Sequence, residues 1–445
     1  MSIFLFFLSF LNTYFFAYDD ALLRAMRDEL KVEYKNLKNA EKEALYFLQY
    51  QAWVNDEYSV SAKLGAIDDE DKNNNSFLTC DVRIGSTSLD STHEIKSKGN
   101  DYYKDNSYRA QLRQVPLNDY DSIRSEIWNL TDKVYKSSLN RYIKVISNKN
   151  VTAQEDDRSG DFIMINNVNV FYSTTSKEDL DYDNIKRTLK ELSLIMKKYD
   201  FIIDSGISFN LKNNKKYIVN SEGSEIIEGY RKYRIYYYIY GRTEDGLDLS
   251  RFNSYEFETI KEIPSKEKIE NDIKKSISEL KELLNAKNLE PFNGPAIMDA
   301  KAAAVFWHEI FGHRVEGHRQ KSEQSGQTFA KKINEKIMPE FLNIYDDPNL
   351  KYYKGKFLNG YYLYDDEGVK SEKSPLVENG VLKGFLMQRV PTRGFNKSNG
   401  HGRRSPGYIT VARQGNLIIE STKTVSYTEL KNMLIEEIKK QKKDY

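Results

Sequence analysis

Cysteine is nearly absent from this sequence: Cys80 is the only one among 445 residues, so an internal disulfide is impossible. Proline is also scarce, at 9 residues, and 39% hydrophobic residues stand beside 30% charged ones, which excludes a collagen-like or wholly disordered chain. An excess of one charge sign is missing too, since 67 basic residues face 66 acidic ones. This balance gives no attraction toward nucleic acid or an anionic membrane. We expect a soluble globular protein of two or three domains.

Long apolar runs are limited to the first residues. Residues 3–17 are almost continuously apolar, which is short for a bilayer-spanning helix of about 20 residues but fits a secretory signal. Cleavage is possible after Ala17, but no Lys or Arg precedes the run, and Phe15 stands where a small residue is expected two positions before Ala17. An uncleaved membrane anchor is the alternative. We predict a signal peptide over 1–17, export to the periplasm or another extracytoplasmic space, and no stable membrane span after cleavage.

Helix and strand patterns divide the remaining chain near residue 290. The predicted elements used below are helices over 19–53, 265–286, 300–312, 331–342 and 426–440, a polar loop over 68–75, and a hairpin joined at Asn379-Gly380. Helices that follow strands indicate an α/β or α+β first domain. We therefore predict an α+β protein, with an N-terminal domain at 18–288 and a second domain at 289–445.

Histidine is rare, and its distribution is uneven. Three of the five histidines, His308, His313 and His318, lie within eleven residues, and the core of this stretch reads His-Glu-x-x-x-His. Neutral imidazole is a common zinc ligand, and a neighbouring Glu can accept a proton from water. The helix that leads to His308 is too apolar to be a surface face, so we expect it to be buried, and an unpartnered His-Glu pair there would be costly. The pattern favours a metal site over an isolated core histidine.

The spacing of the two histidines departs from the familiar zinc motif. His308 and His313 are five residues apart, not four, so a regular α-helix would separate them by about 140°. A π-type turn or a helix that ends near Gly312 would bring them together. Further candidate ligands are Glu316, His318 and His401; His401 lies in a Gly-rich loop, where a substrate contact or a plain loop residue are the alternatives. Cys80 in a predicted strand is interpreted as structural.

Three segments together resemble the TldD/PmbA family of modified-peptide proteases. The likeness covers most of the chain after residue 17 and is strongest over 294–440. The segments that carry it are Gly294-Pro295 followed by 302–317, Asn220-Ser221-Glu222-Gly223, and Ser398-Asn399-Gly400-His401-Gly402-Arg403. This conjunction is far more specific than the histidine spacing.

The resemblance implies a function and a site. His308 and His313 would bind Zn²⁺ and Glu309 would be the catalytic base of a zinc metallopeptidase that hydrolyses unfolded or linear peptides. It also implies an N-terminal α/β domain, a C-terminal β-rich catalytic domain, and dimers that enclose a cavity, either as a homodimer or as a heteromer with a related subunit.

One departure from the family bears on the third zinc ligand. In active members this ligand is a Cys near the C-terminus, and here no Cys follows Cys80. Similar proteins continue beyond the point where this sequence stops, so we expect that part of the catalytic domain is missing. The alternative function is a non-catalytic partner subunit of a peptidase complex.

Overall fold

The computed structural model of the chain describes residues 20–39, 45–95, 113–117, 119–149, 157–166, 168–176, 178–288, 290–321 and 327–443. The predicted signal peptide at 1–17 lies outside these ranges and stays a prediction. Among the described helices, none combines the length and the apolar character that a membrane span requires.

The N-terminal half is built on one twisted sheet with four long strands. The sheet runs in the order β3-β2-β1-β6-β7, with β4 on β2 and with β5 and β8 on β7; every pair is antiparallel except β5 with β7. The strands are β1 (Leu45–Lys63), β2 (Ala66–Ser86), β3 (Leu89–Asp90), β4 (Arg113–Gln114), β5 (Val170–Ser173), β6 (Ile202–Asn220), β7 (Glu225–Arg242) and β8 (Asp248–Phe257).

Helices cover one face of this sheet. They are α1 (Ala21–Lys38), α2 (Tyr120–Lys149), α3 (Tyr182–Met196) and α4 (Lys266–Leu284). Because side chains alternate along a strand, Leu48, Tyr50 and Ala52 of β1 pack under α1 and α2, whereas Val60 and Ala62 on the same face pack under α3 and α4. The α+β class is therefore confirmed, although a mainly antiparallel sheet with helices on one face is not the α/β arrangement that the resemblance implies for this half.

Two predicted elements of this half are wrong. The helix predicted over 19–53 ends at Lys38, and Leu45 and Leu48 belong to a strand. The polar run 68–75 is not a loop, because β1 and β2 turn into each other at Leu64-Gly65, whose φ angles of 50° and 90° form a tight hairpin. Pairing with β1 then keeps the exposed polar residues in an extended strand.

The C-terminal half combines short strands with irregular segments. Its elements are α5 (Ala300–Ile310), a 3-10 turn (Gly312–Val315), α6 (Gly317–Lys321), β9 (Leu342–Asp346), β10 (Tyr352–Tyr353), β11 (Lys356–Phe357), β12 (Ser374–Glu378), β13 (Val381–Leu382), β14 (Gly402–Arg403), β15 (Val411–Ala412), β16 (Leu417–Ser421) and α7 (Tyr427–Lys440). A sheet in the order β13-β12-β9-β16 forms its centre. The hairpin at Asn379-Gly380 is confirmed, whereas the helix predicted over 331–342 is wrong, because that segment is a series of turns leading into β9.

Buried charges join the two halves on the sheet face opposite the four helices. Asp366 is buried, and its Oδ1 accepts a hydrogen bond from Gln51 Nε2 at 3.0 Å while its Oδ2 accepts one from Arg404 N at 2.8 Å. Lys216 Nζ donates to Tyr364 O at 2.6 Å and lies 3.4 Å from Asp366 Oδ1. Burial alone would raise the pKa of Asp366, but Arg403 and Lys216 outweigh it and hold that pKa below its usual range.

A second buried contact uses the Asn-Ser-Glu-Gly segment. Arg389 is fully buried; its Nη2 donates to Glu222 Oε1 at 2.6 Å and its Nε to Ile163 O at 2.8 Å. The backbone N of Arg389 donates to Glu367 Oε2 at 2.7 Å. The segment therefore has a structural task at the joint between the halves, at a distance in sequence from the histidine motif.

We predict that Lys216→Met destabilises the protein strongly. The substitution removes the buried cation that lies 3.4 Å from both Glu228 and Asp366, although Arg403 still faces Asp366 at 3.5 Å. We expect the free energy of unfolding to fall by about 3–5 kcal/mol in urea denaturation. Lys212→Met is the matched control on the same strand, because Lys212 is exposed and pairs with Glu57 at 3.4 Å, and it should cost less than about 1 kcal/mol. Equal losses for the two variants would contradict the importance of this joint.

Candidate metal centre

The histidine motif lies where α5 ends. Asp299 caps the helix by accepting a hydrogen bond from Ala302 N at 2.8 Å, and the α-helical pattern runs to Ile310. The chain then tightens into the 3-10 turn, so that His313 no longer follows the α-helical rotation. The ring centroids of His308 and His313 consequently lie 4.6 Å apart, at an angle of 73°. The predicted helix end near Gly312 is thus confirmed.

The structure brings His308, Glu309 and His313 into one group. Their candidate ligand atoms all lie within 4.8 Å of one another, and among the described residues they form the one group of three or more His, Cys, Asp or Glu that could hold a metal. The carboxylate of Glu309 lies close to both rings, with Oε1 3.9 Å from His308 Nε2 and Oε2 3.8 Å from His313 Nε2. Their side chains are 48%, 61% and 27% exposed, in chain order, so a dissolved ligand can reach the group.

The burial expected for α5 is not found. The helix has no buried residue, and Val305, on its apolar face, is 62% exposed. The apolar composition of the helix therefore does not indicate that His308 and Glu309 are buried, and the cost of an unpartnered buried pair is not an argument for a metal here. The evidence for a metal site is therefore the geometry of the group.

Glu316 contacts a ligand candidate and is not itself part of the metal group. Its carboxylate is fully buried, and Oε1 lies 2.9 Å from His313 Nδ1. Arg319 Nε donates to Oε2 at 2.7 Å, and Arg413 Nη1 donates to Oε1 at 3.3 Å. With both oxygens occupied by side chains of this chain, Glu316 is not placed to complete the metal site.

Both ring nitrogens of His401 also contact side chains of this chain. It is fully buried, with Nε2 3.1 Å from Asp346 Oδ1 and Nδ1 2.8 Å from Asn399 Oδ1. Both ring nitrogens are therefore engaged within the loop. The backbone N groups of Asn399 and His401 both donate to Met387 O, at 3.3 and 3.2 Å, so the loop supports the segment next to the 3-10 turn.

His318 is the remaining candidate, and it stands apart from the group. Its Nδ1 atom is buried and has no hydrogen-bond partner among the described residues. Burial disfavours the charged ring and lowers the pKa of His318 to about 4, although Glu316 opposes this effect. The ring is thus neutral at pH 7, which is the form that binds metals, but the structure does not place it beside His308 and His313.

Gln414 is a residue near the site that the sequence does not single out. Its carboxamide lies against Gly312, where a Cβ would overlap it, and both of its polar side-chain atoms are buried without a partner among the described residues. Gly312 therefore allows the close approach of another segment beside His313. Gln414 is about 100 residues further along the chain, and no local pattern in the sequence links the two.

The donor set fits a zinc ion in part. Imidazole nitrogens and carboxylate oxygens are the usual protein ligands of zinc beside thiolates. His313 presents Nε2 to the group because Nδ1 contacts Glu316, and His308 presents Nε2 as well. If Glu309 acts in catalysis, the group supplies only two ligands, His308 and His313. Neither Glu316 nor His401 is placed to supply a third.

Comparison with known proteins points to one family. Residues 292–441 match the model of the PmbA/TldA metallopeptidase C-terminal domain. A metalloprotease of Archaeoglobus fulgidus is 35% identical over 153 residues, which are 34% of this chain and 33% of that protein. A zinc metalloprotease TldD homolog of Saccharolobus solfataricus is 30% identical over 95 residues, 21% of this chain and 20% of that protein. These matches span about a third or less of the curated relatives.

The solved structures extend the likeness to the fold of nearly the whole chain. TldE from Thermococcus kodakarensis superposes with a TM-score of 0.55 at 16% identity, covering 91% of this chain and 79% of that one. At this identity the likeness concerns the fold alone.

We predict that His318 makes stability depend on pH. Because burial lowers its pKa to about 4 from 6.5, the unfolded chain binds a proton more readily than the folded one. The free energy of unfolding is therefore unaffected by this group above pH 6.5. It decreases as the pH falls from 6.5 toward 4, by at most about 1.4 kcal/mol per pH unit. Urea denaturation between pH 4 and 7 should give His318→Phe a shallower loss than the wild type. Parallel curves would contradict this role of the buried ring.

Proposed function

We propose that this chain, which belongs to the TldD/PmbA family through its C-terminal domain, is a zinc-dependent peptidase that acts on unfolded or linear peptides. The observation that carries the proposal is the convergence of His308, Glu309 and His313 at the end of α5, with their ligand atoms within 4.8 Å. The relatives named metalloprotease support the peptidase class. The relative named zinc metalloprotease supports the choice of metal.

His308 and His313 would hold the ion through Nε2. A zinc ion at this position supplies a Lewis acid that lowers the pKa of water and polarises a carbonyl. The accessibility of the group suits a substrate that arrives from solvent as an extended chain, and α5 exposes an apolar face beside it.

Glu309 would move the proton. It lies within 4 Å of both Nε2 atoms, so its carboxylate is next to any water at the group. It accepts a proton from the water whose oxygen bonds to the scissile carbonyl carbon. When the C–N bond breaks, the same carboxyl group returns the proton to the leaving amine.

Assembly and location belong to the same proposal. We propose that the chain works as a homodimer or with a related subunit, and that it is exported. The likeness in fold to a protein named TldE, beside relatives named TldD, is consistent with related subunits that work together. Export rests on residues 1–17, which lie outside the described residues.

A non-catalytic partner subunit is the second candidate. It is favoured by the lack, within the described part of the chain, of a third ligand beyond Glu309 in the group. Retention of both histidines and of Glu309 favours the peptidase.

We predict that Glu309→Gln keeps the metal and loses activity. Gln preserves the size of the side chain but cannot accept the proton, so hydrolysis of an unstructured fluorogenic peptide should fall by roughly 10²–10⁴-fold. Zinc content, measured by plasma mass spectrometry, should stay near that of the wild type. Glu340→Gln is the control, since Glu340 is an exposed partner of Lys336, and it should change neither value.

The outcomes separate the two functions. Unchanged turnover in Glu309→Gln would remove Glu309 from the mechanism, and loss of zinc in this variant would make Glu309 a ligand. Stoichiometric zinc without hydrolysis in the wild type would favour the non-catalytic subunit.

A further inference from the structure

We infer that Glu316 is a positioning residue for His313: it holds the proton on Nδ1, so that Nε2 is the atom offered to the metal. The inference deepens the proposed function and rests on it to the extent that His313 is a ligand. It assigns a task to a carboxylate that stands outside the metal group.

The two nitrogens of His313 face different surroundings. Nδ1 lies 2.9 Å from Glu316 Oε1, whereas Nε2 points toward the group and lies 3.8 Å from Glu309 Oε2. A neutral imidazole has one N–H and one lone pair, and a carboxylate can only accept. Since a contact of 2.9 Å requires a donor, the proton belongs on Nδ1 and the lone pair on Nε2.

Glu316 itself is held in place by its side-chain partners. Arg319, one turn along the chain in α6, binds Oε2, and Arg413, which follows β15, binds Oε1. Two guanidinium groups offset the cost of burying the carboxylate, and Arg319 fixes the oxygen that His313 leaves free. The carboxylate is therefore oriented by segments other than α5.

The backbone on both sides of Glu316 is fixed as well. Leu386 N donates to Val315 O at 2.9 Å, and Gly317 N donates to Leu386 O at 2.8 Å. A Cβ at Gly317 would lie 2.8 Å from Leu386 O, so only glycine permits this close approach. Glu316 therefore lies in a short stretch of backbone that pairs with Leu386, and this pairing fixes the chain just after α5.

A comparison with His401 shows how the contact between His313 and Glu316 differs from an ordinary contact between a buried histidine and a buried carboxylate. His401 also contacts a buried carboxylate, with 3.1 Å between Nε2 and Asp346 Oδ1, but Asn399 occupies its other nitrogen. A carboxylate there stabilises the loop and leaves no lone pair for a ligand. At His313 the second nitrogen remains directed at Glu309 and His308.

Without Glu316 the ring of His313 would exchange tautomers and rotate. Partners of this kind set the tautomer and orientation of a metal-binding histidine, and their loss commonly weakens metal binding by about 10–100-fold. We expect Glu316→Gln to weaken zinc binding by this factor, because its amide can donate to Nδ1 as readily as it accepts.

Tautomer measurement tests the inference directly. In the full chain labelled with ¹⁵N-histidine and freed of metal, the spectrum of neutral His313, assigned by its loss in His313→Gln, should show the proton on Nδ1. In Glu316→Gln it should show a mixture of tautomers. The dissociation constant for Zn²⁺, from competition with a chelator, should rise about 10–100-fold in this variant. The matched control is Glu335→Gln, which removes an exposed carboxylate that pairs with Lys332 and should change the dissociation constant by less than about threefold.

Several results would overturn the inference. A wild-type His313 with its proton on Nε2 would do so without any variant, as would wild-type zinc affinity in Glu316→Gln. If Glu316→Gln does not fold, Arg413→Gln removes one donor from Oε1 and should give a smaller shift in the same two quantities; an unchanged tautomer and affinity there would count against the inference. A wild type that binds no zinc would instead defeat the proposed function, and the tautomer would still decide the role of Glu316.

Discussion

The end of the α-helix between Glu309 and His313 is the constraint on which the candidate site depends. In an uninterrupted helix, a separation of five residues would place the two histidines about 140° apart. Because α5 ends at Ile310 and a 3-10 turn follows, the ring centroids approach to 4.6 Å. Two other segments hold the chain in place just after α5. The backbone of Leu386 forms hydrogen bonds on both sides of Glu316, and the Gln414 carboxamide packs against Gly312.

Support for the chain just after α5 extends back to the long sheet. The backbone N–H groups of the loop that contains His401 donate to Met387 O. Met387 follows Leu386, whose backbone is hydrogen-bonded to the residues on both sides of Glu316. Two residues beyond Met387, Arg389 reaches Glu222 at the joint between the halves. Buried polar contacts therefore connect residues of the N-terminal half to the segments beside the candidate metal centre. Contacts of this kind contribute mainly through the high cost of leaving one partner unpaired.

Local chemistry in the sequence predicts part of this structure. The Asn379-Gly380 turn, the cap at Ser265 and the helix that carries His308 all follow from short-range rules, and the structure agrees with them. The turn at Leu64-Gly65 does not follow from these rules because it lacks the usual Asn or Asp, and the polar run after it resembles a loop in sequence. The surroundings of His313 could not be predicted, because Arg413 bonds Glu316 and Gln414 packs against Gly312 from about 100 residues further along the chain, and only folding brings these segments together.

We propose that His308 and His313 share one zinc ion at the end of α5. Anomalous diffraction on either side of the zinc absorption edge, from crystals of the protein grown with Zn²⁺, would locate that ion. We expect one strong peak within bonding distance of both Nε2 atoms and next to Glu309. A peak at His318 or His401 instead, or no peak at saturating zinc, would contradict it.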